Sequence, residues 1–282
     1  MSSAATAPGD FLAQMAAASR ARVAAARRVA DEPALLARAL ATPPAPRLQL
    51  SPLGFDVIAE VKLRSPALGA LRGADDDLAA RVTQYASAGA AAISVLTEPS
   101  RFDGALEHLQ LAARALGTRA PAMRKDFIVD AYQVIEARVA GAGGVLAILR
   151  MIPSESTAAL LDMAARLGLF VLLEAFDEAD IALADAFLRT HQARALAADA
   201  PLLVGVNCRD LVTLQVVPGR LERLAPLLPH TAPRVAESGV ESAADITRLA
   251  RAGYDVALVG GALMKRADPA ALLRELLAAG RA

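Results

Sequence analysis

Short apolar runs alternate along the chain with longer stretches whose apolar positions recur every three or four residues. The short runs are FDVIAEV, AAISVL, PAMRKD, GVLAIL, LFVLLEA, LLVGVN, PRVAES and DVALVGG. Between them lie segments such as GALEHLQLAARALG and DAYQVIEARVAGAG, patterned as helices with one apolar face. Successive runs start about 23 to 36 residues apart, a spacing that suits one strand plus one helix. Alternating strands and helices in one chain predict a parallel sheet covered by helices. Eight such units within roughly 230 residues favour a closed (β/α)8 barrel, a TIM barrel. An open doubly wound sheet is the alternative. It often begins with a GxGxxG turn, and the sequence has none in that context.

Ahead of the first run, residues 11 to 40 are helical by composition, and PPAP at 43 to 46 breaks the pattern. The expected organisation is an N-terminal helical extension, residues 1–50, packed on a barrel formed by residues 51–282, one domain overall. Residues 1 to 30 are rich in Ala and Arg with few acids. This composition fits an amphipathic surface helix better than a transit peptide. Turns from helix to strand are short and marked by glycine (AGAAA, AGAGG, LGLF, AGYD). Loops from strand to helix carry polar residues, as in SPALGALRGADDD and NCRDL. In a parallel barrel those polar loops lie at the C-terminal face, where active sites sit.

Composition narrows the function. Hydrophobic residues make up 55% of the 282, enough for a large core. Lys plus Arg equals Asp plus Glu at 30 each, which argues against a nucleic-acid footprint but leaves room for a small anionic ligand. Cys208 is the single cysteine, so no intrachain disulfide or Cys-rich zinc site is expected, and a reducing cytoplasm fits. No apolar run approaches the roughly 20 residues that span a bilayer. Apolar helix faces would bury against the barrel first, so a monomer or weak homodimer is expected. The eighth unit ends near residue 282, which leads to the expectation of no fused second catalytic domain.

The apolar strands carry charges at one end only. Side chains two apart on a strand share a face. Stepping back by two from each strand end gives Lys62, Glu60 and Ile58 on the first strand, and Lys125 and Met123 on the third. The fifth gives Glu174, Leu172 and Phe170, the sixth Asn207, Gly205 and Leu203, and the seventh Glu237 and Val235. Five strands thus place a polar group inward at the same rim, above apolar or small positions. Three carboxylates and two ammoniums converging there can neutralise one another and shift one another's pKa values. A purely structural ion-pair cap is the plainer explanation for one pair. It does not account for five strands, because buried pairs contribute little net stability.

Glycines mark a second feature. Strand seven runs into Glu237-Ser238-Gly239 with a helix start expected near Glu241, and strand eight runs into Gly260-Gly261. Glycines let backbone N–H groups approach an anion, and the loops after strands seven and eight are the usual phosphate site of such barrels. Asn207 points inward, and Arg209 follows just beyond the strand. Arg209 could hold a carboxylate with two parallel hydrogen bonds, or pair with Asp210 at the surface; both readings stay open. Cys208 has no histidine placed as its base and reads as core. His108, His191 and His230 fall away from strand ends and read as bystanders, and no cluster has metal-ligand spacing.

The segments IAEVKLRSP, ISVLTEPSRFDGALEHL, RKDFIVDAYQVIEARVAGA, LLEAF, GVNCRDL, VAESGV and LVGGALM together resemble indole-3-glycerol phosphate synthase over nearly the whole chain. The resemblance implies a lyase of tryptophan biosynthesis that uses no cofactor or metal. Its substrate would be 1-(2-carboxyphenylamino)-1-deoxyribulose 5-phosphate, which closes a ring with loss of CO2 and water. By resemblance, Lys125 matches the general acid at the substrate carbonyl and Glu174 a catalytic base. Glu60 and Lys62 match the first-strand pair, whose lysine assists acid catalysis and contacts phosphate. Asn207 and Arg209 match groups near the anthranilate carboxylate, and Glu237 and Ser238 a pair beside the substrate. Gly239, Gly260, Gly261 and Ser65 match the phosphate loops.

The chain departs from the family where Leu63, Arg64 and Leu68 stand; a lysine is common at the last of these. It departs again at Gly261, where a hydroxyl or acidic residue is common. These changes bear on affinity more than on chemistry, and they leave room for a paralogue in a specialised pathway. Two other readings compete. A related barrel enzyme could be an isomerase needing a first-strand cysteine, absent here, or an aldolase using a lysine as nucleophile. A non-catalytic barrel would tolerate loss of the strand-end charges, all of which are present.

Overall fold

The computed structural model describes residues 11–62, 64–65, 69–70, 77–211 and 213–282, with backbone only at 64, 65, 69 and 70. Eight strands form the barrel: β1 (Asp56–Val61), β2 (Ala92–Leu96), β3 (Ala122–Lys125), β4 (Gly144–Ile148), β5 (Phe170–Ala175), β6 (Leu202–Asn207), β7 (Arg234–Glu237) and β8 (Val256–Val259). Each pairs in parallel with its neighbour in sequence, and β1 closes the ring by pairing with both β2 and β8. The expected TIM barrel is therefore present. Strands β1, β2, β4, β5, β6 and β8 are buried along their whole length. Their inner face meets the lumen and their outer face meets helices, which is why they read as near-continuous apolar runs.

Two helices precede the barrel, α1 (Phe11–Val29) and α2 (Glu32–Ala41). The expected single helical stretch is thus broken. Asp31 caps α2 by accepting from Ala34 N at 2.8 Å, and Pro33 occupies its first turn, where a proline's missing N–H costs nothing. Met15, Ala16 and Val23 of α1 and Leu35 and Ala39 of α2 are buried in the same apolar cluster as the barrel.

The remaining helices are α3 (Leu78–Ser87), α4 (Pro99–Phe102), α5 (Leu106–Leu116), α6 (Ala131–Val139), α7 (Ser154–Leu167), α8 (Glu178–Ala197), α9 (Arg220–Leu224), α10 (Ala243–Ala252), α11 (Gly261–Met264) and α12 (Pro269–Gly280). In the loop after β1, Arg64–Ser65 and Gly69–Ala70 form a short antiparallel ladder. Among the described residues no helix is long and apolar enough to cross a membrane.

Candidate active site

Strand parity delivers the charged groups to one rim. Lys62 Nζ donates to Glu60 Oε1 at 2.6 Å, so the two opposite charges on one face of β1 hold each other. Lys125, at the end of β3, donates to Glu237 Oε2 at 3.1 Å and stands 3.7 Å from Glu174 Oε1. Asn207 Nδ2 donates to Glu174 Oε1 at 2.6 Å. Its Oδ1 accepts from Arg209 N and from Ser238 Oγ, each at 2.9 Å. Those two donors fix which end of the amide is oxygen, and so aim its N–H at Glu174. Ser238 makes this contact from a left-handed backbone, φ 69°, a region that costs a non-glycine residue about 1–2 kcal/mol.

Every predicted site residue except Ser65 lines one cavity of about 180 Å³. The Ser65 side chain and Leu68 lie outside the described residues. Lys125 and Glu237 sit on opposite sides of the ring of strands, and their contact crosses the lumen. Two glycines make the packing possible. A Cβ at Gly205 would collide with Glu237 Oε1, and one at Gly260 with Glu60 Oε1. The small inward position on β6 is therefore space for a neighbour's carboxylate.

The electrostatics follow from burial and proximity. Burial works against the Lys125 ammonium, but Glu174, Glu237 and Glu60 outweigh it and hold its pKa above the usual lysine value. Burial likewise works against the Glu60 carboxylate, yet Lys62, Lys125 and Arg209 keep its pKa below the ordinary range. Glu237 goes the other way. Burial and repulsion from Glu174 and Glu60 exceed the pull of Lys125, and its pKa rises to about 8. Its Oε1 is buried and has no hydrogen-bond partner among the described residues.

Glu237 should leave a mark on stability. Between its ordinary value of 4.5 and about 8, the folded protein holds a proton that the unfolded chain has released. Stability from this group therefore falls as pH rises through that window. Urea melts from pH 5 to 9 should show native protein losing stability relative to Glu237→Gln as pH rises. A difference independent of pH would mean that the carboxyl is ionised throughout.

Arg209 donates Nη1 to Leu214 O at 2.6 Å and lines the cavity. Asp210 accepts from Thr213 N at 2.8 Å and lies 4.0 Å from Arg220. On the glycine side, α10 begins at Ala243, close to the start expected near Glu241. Ser242 caps it, and Asp245 Oδ2 accepts from the N–H groups of Glu241 and Ser242. Gly239, Gly260 and Gly261 line the same cavity, together with Lys62 and Lys265. Cys208 is buried in the core, and burial pushes its thiol pKa up. None of the three histidines lines the cavity, and no metal-binding cluster occurs among the described residues.

Some lining residues carry no signal in strand parity. Phe102 of α4 and Phe127, just past β3, form an apolar wall with Leu96, Leu146, Ile148 and Leu211. Leu146 and Ile148 could have been found by the same two-residue step on β4. Phe102 ends the short helix α4 and Phe127 sits in the turn after β3, where strand periodicity says nothing.

The sequence pattern described as indole-3-glycerol phosphate synthase matches residues 12–276. The chain belongs to the indole-3-glycerol phosphate synthase family. Curated relatives that carry this name include the proteins from Nocardioides sp. (45% identical, covering 79% of this chain and 80% of that protein) and Rhodococcus jostii (41%, covering 93% and 92%). The Mycobacterium leprae protein is 41% identical, covering 86% of this chain and 85% of its own. Among solved structures, 3-hexulose-6-phosphate synthase from Salmonella typhimurium superposes with a TM-score of 0.60 at 15% identity, covering 80% of this chain and 98% of that one. At that identity the likeness is one of fold. Indole-3-glycerol phosphate synthases are carboxy-lyases of tryptophan biosynthesis.

Proposed function

We infer that this member of the indole-3-glycerol phosphate synthase family closes the indole ring with Lys125 as the acid. The observation that carries the reading is the ammonium held between two buried carboxyl groups, Glu174 and Glu237, at the rim. A lysine whose charge is stabilised in this way donates a proton or a hydrogen bond; it does not act as a neutral amine nucleophile. That weakens the aldolase alternative. The substrate is 1-(2-carboxyphenylamino)-1-deoxyribulose 5-phosphate. Its ring carbon attacks the ketone, negative charge gathers on the carbonyl oxygen, and Lys125 stabilises and protonates it.

Loss of CO2 then restores the aromatic ring. Dehydration needs a proton delivered to the departing hydroxyl and another removed, hence an acid and a base. Lys62, with Glu60 holding it, supplies the first. Glu174, oriented by Asn207, supplies the second. Arg209 receives the anthranilate carboxylate, and the wall of Phe102 and Phe127 receives its ring. Glu237 and Ser238 hold Lys125 and Asn207. Gly239, Gly260 and Gly261, with Lys62, receive the phosphate.

The test is direct. Purified protein mixed with this substrate should produce indole fluorescence. Folded protein that yields none would send the site to another substrate.

Gly261 offers a second measurement. A Cβ there meets nothing among the described residues within 4 Å, so serine fits beside the cavity. A hydroxyl bonding the phosphate should contribute about 1.5 kcal/mol, the low end for a charged partner, and lower KM about tenfold. An unchanged KM in Gly261→Ser would mean that backbone amides already saturate the phosphate.

A further inference from the structure

Lys125 is flanked in sequence by Arg124 and Asp126, both buried, and Asp126 also borders the cavity. Four donors satisfy the Asp126 carboxylate. Arg22 Nη2 lies at 2.7 Å and Phe127 N at 2.8 Å from Oδ1, with Thr97 Oγ1 at 2.8 Å and Arg124 Nη2 at 3.1 Å from Oδ2. Arg124 is shared, since its Nη1 also reaches Glu136 and the Gln133 carbonyl. Only Arg22 comes from outside the barrel, from α1, 104 residues away in sequence. The same helix supplies Ser19, whose hydroxyl donates to Phe127 O at 2.5 Å and accepts from Gln133 Nε2 at 2.9 Å. Gln133 in turn accepts from Val129 N at 2.8 Å. Phe11 of α1 meets Phe127 edge-on at 5.8 Å. The turn that follows Lys125 is thus held from the N-terminal helix at a side chain, a carbonyl and a ring.

We propose that Arg22 is a positioning residue for catalysis, which acts through Asp126 to hold the end of β3 so that Lys125 meets the substrate carbonyl. This rests on the reading of Lys125 as the acid. Removing Arg22 leaves a buried carboxylate with half of its cationic support, and the β3 turn must shift to recover it. Displacement of a reacting group by an ångström costs up to about a hundredfold in rate. Binding of the substrate's phosphate, on the far glycine loops, is untouched.

Arg27 provides the control. It also ties α1 down, through Glu32 and Asp130 at 2.9 Å each, but it does not touch Asp126. If α1 were only a brace, the two arginines would matter alike. Arg22→Ala should lower kcat about tenfold or more at saturating substrate, with KM within about threefold, since only the reacting group is displaced. Arg27→Ala should stay within about twofold of native on both constants, as expected of an exposed pair. Ethylguanidinium should restore part of the lost kcat in Arg22→Ala, and none in Arg22→Ala with Asp126→Asn.

Native kcat in folded Arg22→Ala would overturn the proposal. So would equal losses in the two arginine variants with no response to ethylguanidinium. If Arg22→Ala does not fold, Arg22→Gln is read against the same outcomes. Lys125→Ala, measured in parallel, separates the two ideas. An active Lys125→Ala ends both the acid assignment and this proposal. An inactive Lys125→Ala beside an unaffected Arg22→Ala ends this proposal alone.

Discussion

Lys125→Ala is expected to abolish ring closure in a protein that stays folded. The side chain supplies the positive charge facing the carbonyl oxygen, and removing one such group typically costs a hundredfold to a thousandfold in kcat. Here the loss should be larger. Lys125 also separates Glu174 from Glu237, and without it two buried carboxylates face each other. Glu237, already pushed up to about 8, would then hold its proton more firmly and neutralise the site. That response lets the barrel survive the change, since a carboxyl that keeps its proton avoids the cost of an unpaired buried charge. Indole fluorescence would follow turnover, and circular dichroism with urea melts would follow folding. Turnover within tenfold of native would remove Lys125 from the acid role. Loss of turnover together with loss of the fold would make its role structural.

The residues of this site were legible because a strand offers few choices. Once β1, β3, β5, β6 and β7 are placed, stepping by two decides which side chains face the lumen, and closure brings their ends together. Lys62, Glu60, Lys125, Glu174, Asn207 and Glu237 follow from that alone. The partnership of each is less visible. Asn207 meets Glu174, and Gly205 makes room for Glu237, only because β6 lies between β5 and β7 in a particular register. Arg22 and Asp126 meet across 104 residues, and helix periodicity marks Arg22 as no more than one arginine among several. Element boundaries had signals in plain view. Asp31 with Pro33 marks the break between α1 and α2, and Ser242 with Asp245 marks the start of α10. Both are short-range capping patterns that a broad apolar period hides.

Glu174→Gln is expected to lower turnover by about a hundredfold or more, the usual scale for a group that moves a proton. Glutamine is close to glutamate in size, so packing survives, but it cannot accept a proton. Its oxygen can still receive the Asn207 N–H, which now bonds Glu174 Oε1 at 2.6 Å. Placement of the side chain is therefore retained while its basicity is removed. Lys125 would lose Glu174 and keep Glu237, whose carboxyl ionises more readily once repulsion from Glu174 is gone, so the acid should remain charged. The variant thus isolates proton removal in dehydration from stabilisation of the oxyanion in ring closure. If dehydration limits the variant, the species that has already lost CO2 should accumulate, and a single-turnover experiment would show CO2 released ahead of indole fluorescence. A loss below tenfold, with CO2 and indole appearing together, would make Glu174 a group that merely holds Lys125 in place.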